Sequence, residues 1–190
     1  MQFPHTYFED EIREGFYITG AMKRAWAAQL EVLEEIDKVC KKHNIRWFAD
    51  CGTLLGAVRH GGYIPWDDDM DICMLRPDYI KFNQVAEQEL PKSFVVLNMH
   101  KEELYLEYMT RVTNGHRLNF DSNYLEKYHD CPYATGIDIF VLDYIAEDEE
   151  EEKERKALAT LIMAAGDEIK EDNSNIGEYE DVLKQIEELC

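Results

Sequence analysis

Apolar residues recur at helical spacing through Met22, Trp26, Leu30, Leu33, Ile36 and Cys40, with charged residues between them. This pattern predicts a long amphipathic helix, with Thr19 ahead of it as N-cap and an end near Lys42-His43-Asn44. Ile45 to Ala49 then reads as a strand feeding a turn at Gly52-Thr53. The apolar run Leu54 to Val58 predicts a short helix closed by Arg59-His60. Asp69-Met70-Asp71-Ile72 alternates charged and apolar side chains, and successive side chains on a strand point to opposite faces. Asp67, Asp69 and Asp71 are therefore expected on one face, with Met70 and Ile72 turned to the core. Pro77 opens a helix to about Leu90, with Tyr79, Phe82, Val85 and Ala86 inward.

Ser93 to Met99 and Tyr105 to Thr113 read as strands. Asn114-Gly115 predicts a two-residue hairpin turn, with His116 to Phe120 as the returning strand. After a loop from Asp121 to Ala134, Thr135 to Tyr144 is a strand. It turns Ile137 and Ile139 one way, and Asp138 and Phe140 the other. The acidic run Glu147 to Glu154 leads into a helix through Leu158, Leu161, Ile162 and Ala165. Asp172 to Gly177 reads as a loop, and Tyr179, Val182, Leu183, Ile186 and Leu189 predict a last helix. Met1 to Tyr17 is mixed and aromatic, an arm for packing on the domain.

Length suggests one domain with a helical extension: residues 1–145 as the main body and 146–190 as acidic linker and helices. Forty acidic against twenty basic residues give a net charge of −20. Bare nucleic acid is excluded as a partner on that balance. An anionic substrate needs local help, from metal ions or from Arg59, His60, Arg111 and Arg117. The five cysteines are odd in number and form no C-x-x-C, so neither a disulfide framework nor a zinc ribbon is indicated. Cys51 and Cys73 sit in apolar settings and read as small core residues. His129 with Cys131 offers only half a zinc site. No basic-then-apolar leader and no membrane-length apolar run occurs, which predicts a cytoplasmic protein without an integral membrane segment.

The chemistry concentrates in Asp67, Asp68, Asp69 and Asp71, four aspartates in five positions. Like charges this close repel, so the local fold is costly unless cations sit among them. The run is not a plain solvated loop, because Ile64-Pro65-Trp66 and Ile72-Cys73-Met74-Leu75 bracket it. Nor is it an EF-hand: counted from Asp67, the sixth position is Ile72 instead of glycine and the twelfth is Asp78 instead of glutamate. No Walker loop is present. Two carboxylates two apart on a strand suit Mg²⁺, which takes oxygen ligands and shares substrate phosphates. Free N–H groups at the helix start by Gly52-Thr53 make a phosphate cradle. Asp50 reads as that helix's cap. Arg59 and His60 either complement the helix dipole or contact phosphate. Trp66 reads first as core, with a stacking wall for a base or an ammonium as the alternative. Arg111 and Arg117 are either solubilising or diphosphate-binding. Asp138, inside an apolar strand, is costly unless it has a metal or a partner.

The segment GTLLGAVRHGGYIPWDDDMDICM resembles the signature of LicD family proteins, the bacterial phosphocholine transferases, to which fukutin and fukutin-related protein are similar. These resemble the nucleotidyltransferase superfamily. Gly52-Thr53 matches its Gly-Gly/Ser element, with Thr in place of the more usual Ser, and Asp69 and Asp71 match its D-x-D pair. GIDIFVLD, residues 136–143, resembles the family's later segment, with Asp138 at the third carboxylate. The resemblance spans roughly Leu30 to Tyr144. It implies an α+β fold, a nucleotidyltransferase-like mixed β-sheet flanked by helices, with a C-terminal helical extension. It implies catalytic and metal-holding roles for Asp69, Asp71 and Asp138, with Mg²⁺ or Mn²⁺. Donor contacts then fall to Gly52, Thr53, Arg59, His60, Trp66 and Arg111. The implied donor is a CDP-alcohol, CDP-choline first, and the implied acceptor a cell-surface glycan or teichoic acid precursor. Membrane association would be peripheral, through that acceptor. Nucleotidyl transfer from an NTP, and a non-catalytic nucleotide- or metal-binding module, are the alternatives.

Overall fold

A computed structural model describes residues 1–98, 107–172, 181–182, 184–186 and 188–189. The described chain divides into two compact units. The first comprises Met1–Leu97 and Met109–Val141 and carries the sheet. The second comprises the remaining described residues.

The first unit opens with a 3₁₀ turn, His5–Phe8, and a small hairpin of β1 (Glu11–Arg13) and β2 (Phe16–Ile18). Helix α1 runs Gly20–His43. The Thr19 hydroxyl accepts from the Met22 amide, and Asn44 closes the helix in the left-handed region at φ 53°, its amide bonding the Cys40 and Lys41 carbonyls. Then follow β3 (Phe48–Ala49), α2 (Cys51–Arg59), β4 (Asp71–Leu75) and α3 (Arg76–Glu89). Strands β5 (Val95–Leu97) and β6 (Met109–Thr113), helix α4 (Ser122–Lys127) and strand β7 (Gly136–Leu142) complete it.

The five main strands form one mixed sheet in the order β3-β4-β7-β6-β5. Pairs β3–β4, β5–β6 and β6–β7 are antiparallel. Val32, Ile36 and Val39 of α1 and Tyr79, Phe82 and Ala86 of α3 bury against Ile72, Met74, Val112, Ile137 and Ile139 of the sheet. The fold is thus α+β, with helices supplying the apolar layer that the strands need. In the second unit α5 spans Glu149–Asp172. Residues 181–182, 184–186 and 188 are helical, whereas the expected loop at 173–177 and Tyr179 and Leu183 of the expected last helix lie outside the described residues.

The expected hairpin at Asn114-Gly115 does not form. Asn114 is buried, its side-chain oxygen accepts from the Thr135 amide, and its own amide donates to the Thr135 carbonyl. The asparagine is thereby spent joining β6 to β7. Residues 116–120 leave as irregular chain, and Arg117 is exposed within it. Cys51 also departs from expectation: it is exposed, at φ 44° on the first residue of α2, while Cys40, Cys73 and Cys131 are buried. His129 Nε2 lies 2.8 Å from Glu31 Oε1, in a hydrogen bond.

Candidate active site

The aspartate run does not lie wholly on a strand. Strand β4 begins at Asp71, and Asp67 to Asp69 occupy the turn before it. The expected shared strand face for Asp67, Asp69 and Asp71 is therefore replaced by a turn whose backbone is pinned nearly residue by residue. Trp26 Nε1 donates to the Asp67 carbonyl at 2.9 Å, and Gln29 Nε2 donates to the Asp68 carbonyl at 2.9 Å. The Asp138 amide donates to the Met70 carbonyl at 3.1 Å, and the Asp50 amide to the Asp71 carbonyl at 3.1 Å. The Asp71 amide donates to the Thr53 hydroxyl at 2.8 Å. Fixing the main chain this way lets carboxylates crowd together that would otherwise splay apart.

One oxygen from each of Asp67, Asp68 and Asp69 falls within a 4.8 Å span. Asp138 is carried towards this turn by β7, which lies beside β4 in the sheet. Its side chain leaves the strand on the face opposite the buried Ile137 and Ile139. The carboxyl of Asp71 is pushed up to about 6, chiefly by burial and then by Asp69, Asp138, Asp67 and Asp50. Burial also raises Asp67, with Asp69 adding to it through charge and a hydrogen bond. Of the three carboxylates expected together, Asp69 groups instead with Asp67 and Asp68, while Asp71 and Asp138 lie near enough for Asp69 and Asp138 to raise the Asp71 carboxyl.

Arg111 faces this group from β6, opposite Asp138 in the β6–β7 register. Its Nε and Nη2 donate to the two Asp138 carboxylate oxygens at 2.6 Å each. Such a fork is the geometry that guanidinium and carboxylate share best. Asp138 thus has a protein cation as partner, which explains how an acid is tolerated in that strand.

Gly52 and Thr53 lie inside the first turn of α2, and Asp50 caps it, as expected, by accepting from the Cys51 amide at 2.8 Å. A Cβ on Gly52 would stand 2.3 Å from Asp67 Oδ2, so only glycine leaves room for that carboxyl at the helix start. Arg59 ends α2 and is exposed; its Nε donates to His60 Nδ1 at 3.3 Å. His60 Nε2 is 3.2 Å from Glu14 Oε2. Trp66 is 53% exposed, not core, with His60 and Phe16 edge-on to it. Pro65 and Ile64 take the buried positions instead. Below the aspartate turn a cavity of about 340 Å³ lies against Leu30, Leu33, Trp47 and Tyr63, with Asp67 and Asp69 in its wall.

Sequence reasoning missed Trp26 and Gln29, which read as members of a plain core helix. The available signal was Gln29: a polar residue on the buried face of α1, 6% exposed, must have a partner inside.

Fold and site together define an α+β domain with an acidic cluster at the start of an inner strand, beside a helix start. The chain belongs to the LicD family: residues 44–154 match the model of the LicD/FKTN/FKRP nucleotidyltransferase domain. It is similar to the lipopolysaccharide cholinephosphotransferase LicD of Haemophilus influenzae, 43% identical over 60 residues, 32% of this chain and 23% of that protein. It is also similar to uncharacterized proteins of Rickettsia typhi, 43% identical over 58 residues (30% of this chain, 19% of that one), and Rickettsia prowazekii, 34% over 87 residues (46% and 32%). The matched stretches cover less than a third of each relative's length. Among the described residues no helix is long and apolar enough to cross a membrane.

Proposed function

We propose that this chain transfers phosphocholine, or a similar phospho-alcohol, from a CDP-activated donor to a hydroxyl of a cell-surface glycan or teichoic acid precursor. The observation that carries the reading is that the Asp138 amide hydrogen-bonds the Met70 carbonyl, which sets Asp138 beside the Asp67–Asp71 turn. An acid distant in sequence, Asp138, is thus set beside the aspartate turn. A purely structural strand would not need this, since it raises the Asp71 carboxyl to about 6. The name of the Haemophilus influenzae relative points to choline phosphate as the group moved.

The donor set fits Mg²⁺ or Mn²⁺. It is all oxygen, Asp67, Asp68 and Asp69 each place an oxygen within 4.8 Å of the others, and Gly52 leaves the space around Asp67 Oδ2 that a side chain would fill. Asp69, Asp71 and Asp138 would hold the ion, which when bound neutralises charge on the phosphate oxygens. The amides at the start of α2 would bind the diphosphate. Thr53 fixes the spacing between that helix and Asp71 by accepting the Asp71 N–H. Arg111, and Arg59 at the end of α2, stand ready for phosphate charge. A carboxylate not engaged with the ion takes the proton of the incoming hydroxyl.

The test is product analysis with CDP-choline, CDP-ribitol, CDP-glycerol and NTPs. Release of CMP with modified acceptor supports the reading. Pyrophosphate release from an NTP would replace it with nucleotidyl transfer. Divalent-cation binding without turnover of any donor would reduce the protein to a binding module.

A further inference from the structure

We infer that Trp26, Gln29 and Tyr63 form a bracket that sets the ion choice of the aspartate turn, favouring Mg²⁺ over Ca²⁺; this rests on the metal-dependent transfer proposed above. The two ions ask different things of a protein. Ca²⁺ takes about six to eight oxygens in flexible geometry and draws readily on backbone carbonyls. Mg²⁺ keeps several waters and needs only one or two carboxylates, held in a near-ideal octahedron.

Four of the five carbonyls from Asp67 to Asp71 already accept hydrogen bonds. Those of Met70 and Asp71 are held by main-chain amides, of Asp138 and Asp50. Those of Asp67 and Asp68 are held by side chains, Trp26 Nε1 and Gln29 Nε2, each at 2.9 Å. Both side chains come from α1, at positions that share one helix face, and both are buried. Directed at α1, the Asp67 and Asp68 carbonyls are withheld from an ion seated among the carboxylates. The held main chain also resists widening to the longer Ca–O distance, about 2.3–2.6 Å against about 2.0–2.1 Å for Mg–O.

Tyr63 completes the bracket. Its hydroxyl donates to Gln29 Oε1 at 2.9 Å, and its ring stacks on Trp26 with centroids 4.8 Å apart and planes at 9°. That bond occupies the amide oxygen of Gln29 and leaves the NH₂ to face the Asp68 carbonyl. All three side chains are uncharged. A lysine or arginine in their place would pair with a carboxylate and compete with the ion. The bracket holds the main chain without engaging a carboxylate, so Trp26, Gln29 and Tyr63 are positioning residues that act through the turn.

Calorimetry of the full chain with MgCl₂ and with CaCl₂, in the absence of donor, reads the ratio of the two affinities. The wild type should bind Mg²⁺ the more tightly. Gln29→Met is similar in length and cannot donate, so the Asp68 carbonyl is released. The ratio should fall by about ten-fold or more, the scale for groups that orient metal ligands. Tyr63→Phe keeps the ring stack and loses only the hydroxyl; its ratio should fall by about three-fold, the worth of one neutral hydrogen bond. It decides the matter if Gln29→Met fails to fold by circular dichroism.

A role confined to stability would lower the melting temperature of both variants and leave the ratio unchanged, which overturns the assignment. A wild type that prefers Ca²⁺, or binds neither ion, overturns it too. CDP-choline turnover with Mg²⁺ is measured on the same samples. If CDP-choline is turned over and the ratio does not move, the bracket falls and the transferase stands. If the ratio moves as stated and no CDP-alcohol is turned over, the transferase falls and the bracket stands.

Discussion

Two acidic runs in this chain look alike in sequence and behave oppositely. Asp67 to Asp71 holds four carboxylates in five positions; Glu149 to Glu152 holds four in four. The glutamates open α5, where acids suit the helix dipole. Glu152 accepts from Arg155 Nε at 2.9 Å and Nη2 at 3.0 Å and pairs with Lys156 Nζ at 3.3 Å. Arg155 first, then the Ala146 amide, hold its carboxyl down at about 2. Helical spacing brings those cations to it from its own chain neighbours. The aspartates have no such supply. Burial and mutual repulsion raise Asp71 to about 6, and the described cation opposite the group, Arg111, sits on Asp138. An acidic run is solvated surface where local cations answer it, and a candidate cation site where the backbone is locked and they do not.

The largest expected effect comes from Asp71→Asn. Turnover should fall by about 10³-fold or more, the scale for losing a group that acts only in the transition state. The fold should not weaken at pH 7. The Asp71 carboxyl is raised from 3.8 to about 6 in the folded state, so the folded protein binds the extra proton and stability falls as pH rises between those values. Above about 6 that loss is complete, and asparagine is spared it. Metal-free melting curves across pH 4 to 7 check this, since the fall in stability with rising pH should be shallower in the variant than in the wild type.

Gly52→Ala ranks next. Its Cβ would meet Asp67 Oδ2 at 2.3 Å and drive that carboxyl out of the cluster. Activity should drop about a hundred-fold, with a stability loss below about 1 kcal/mol because the displaced atom is the end of a side chain. An unchanged divalent-cation affinity by calorimetry would show that Asp67 is dispensable to the site.

Arg111→Met sharpens the comparison by removing the cation that answers Asp138. Free of its guanidinium partner, Asp138 should raise divalent-cation affinity by about three- to ten-fold, while donor affinity falls. Weaker cation binding in a folded variant would mean that Arg111 only holds the β6–β7 pair in place. The smallest effect belongs to the other run: Glu150→Gln in α5 should shift stability by less than about 0.5 kcal/mol and leave turnover unchanged. A loss of activity there would break the distinction drawn between the two runs.

Much of this was legible in the residues because the signals were local. Thr19 and Asn44 bounded α1, Asp50 capped α2, and the alternation of Ile137, Asp138 and Ile139 gave β7 its two faces. The failures were those of local signals answered by distant partners. Asn114-Gly115 carries a hairpin signature, yet Asn114 is claimed by Thr135 across the sheet. Trp66 reads as core, yet Ile64 and Pro65 fill the interior ahead of it.

The sequence alone determined the carboxylates, the glycine beside them and the periodicity of each element, because these depend on near neighbours. Tertiary structure decided that Asp138 stands beside Met70, that Arg111 answers it, and that Trp26 and Gln29 grip the carbonyls of Asp67 and Asp68. Strand order and helix packing set those distances, and no local spacing encodes them.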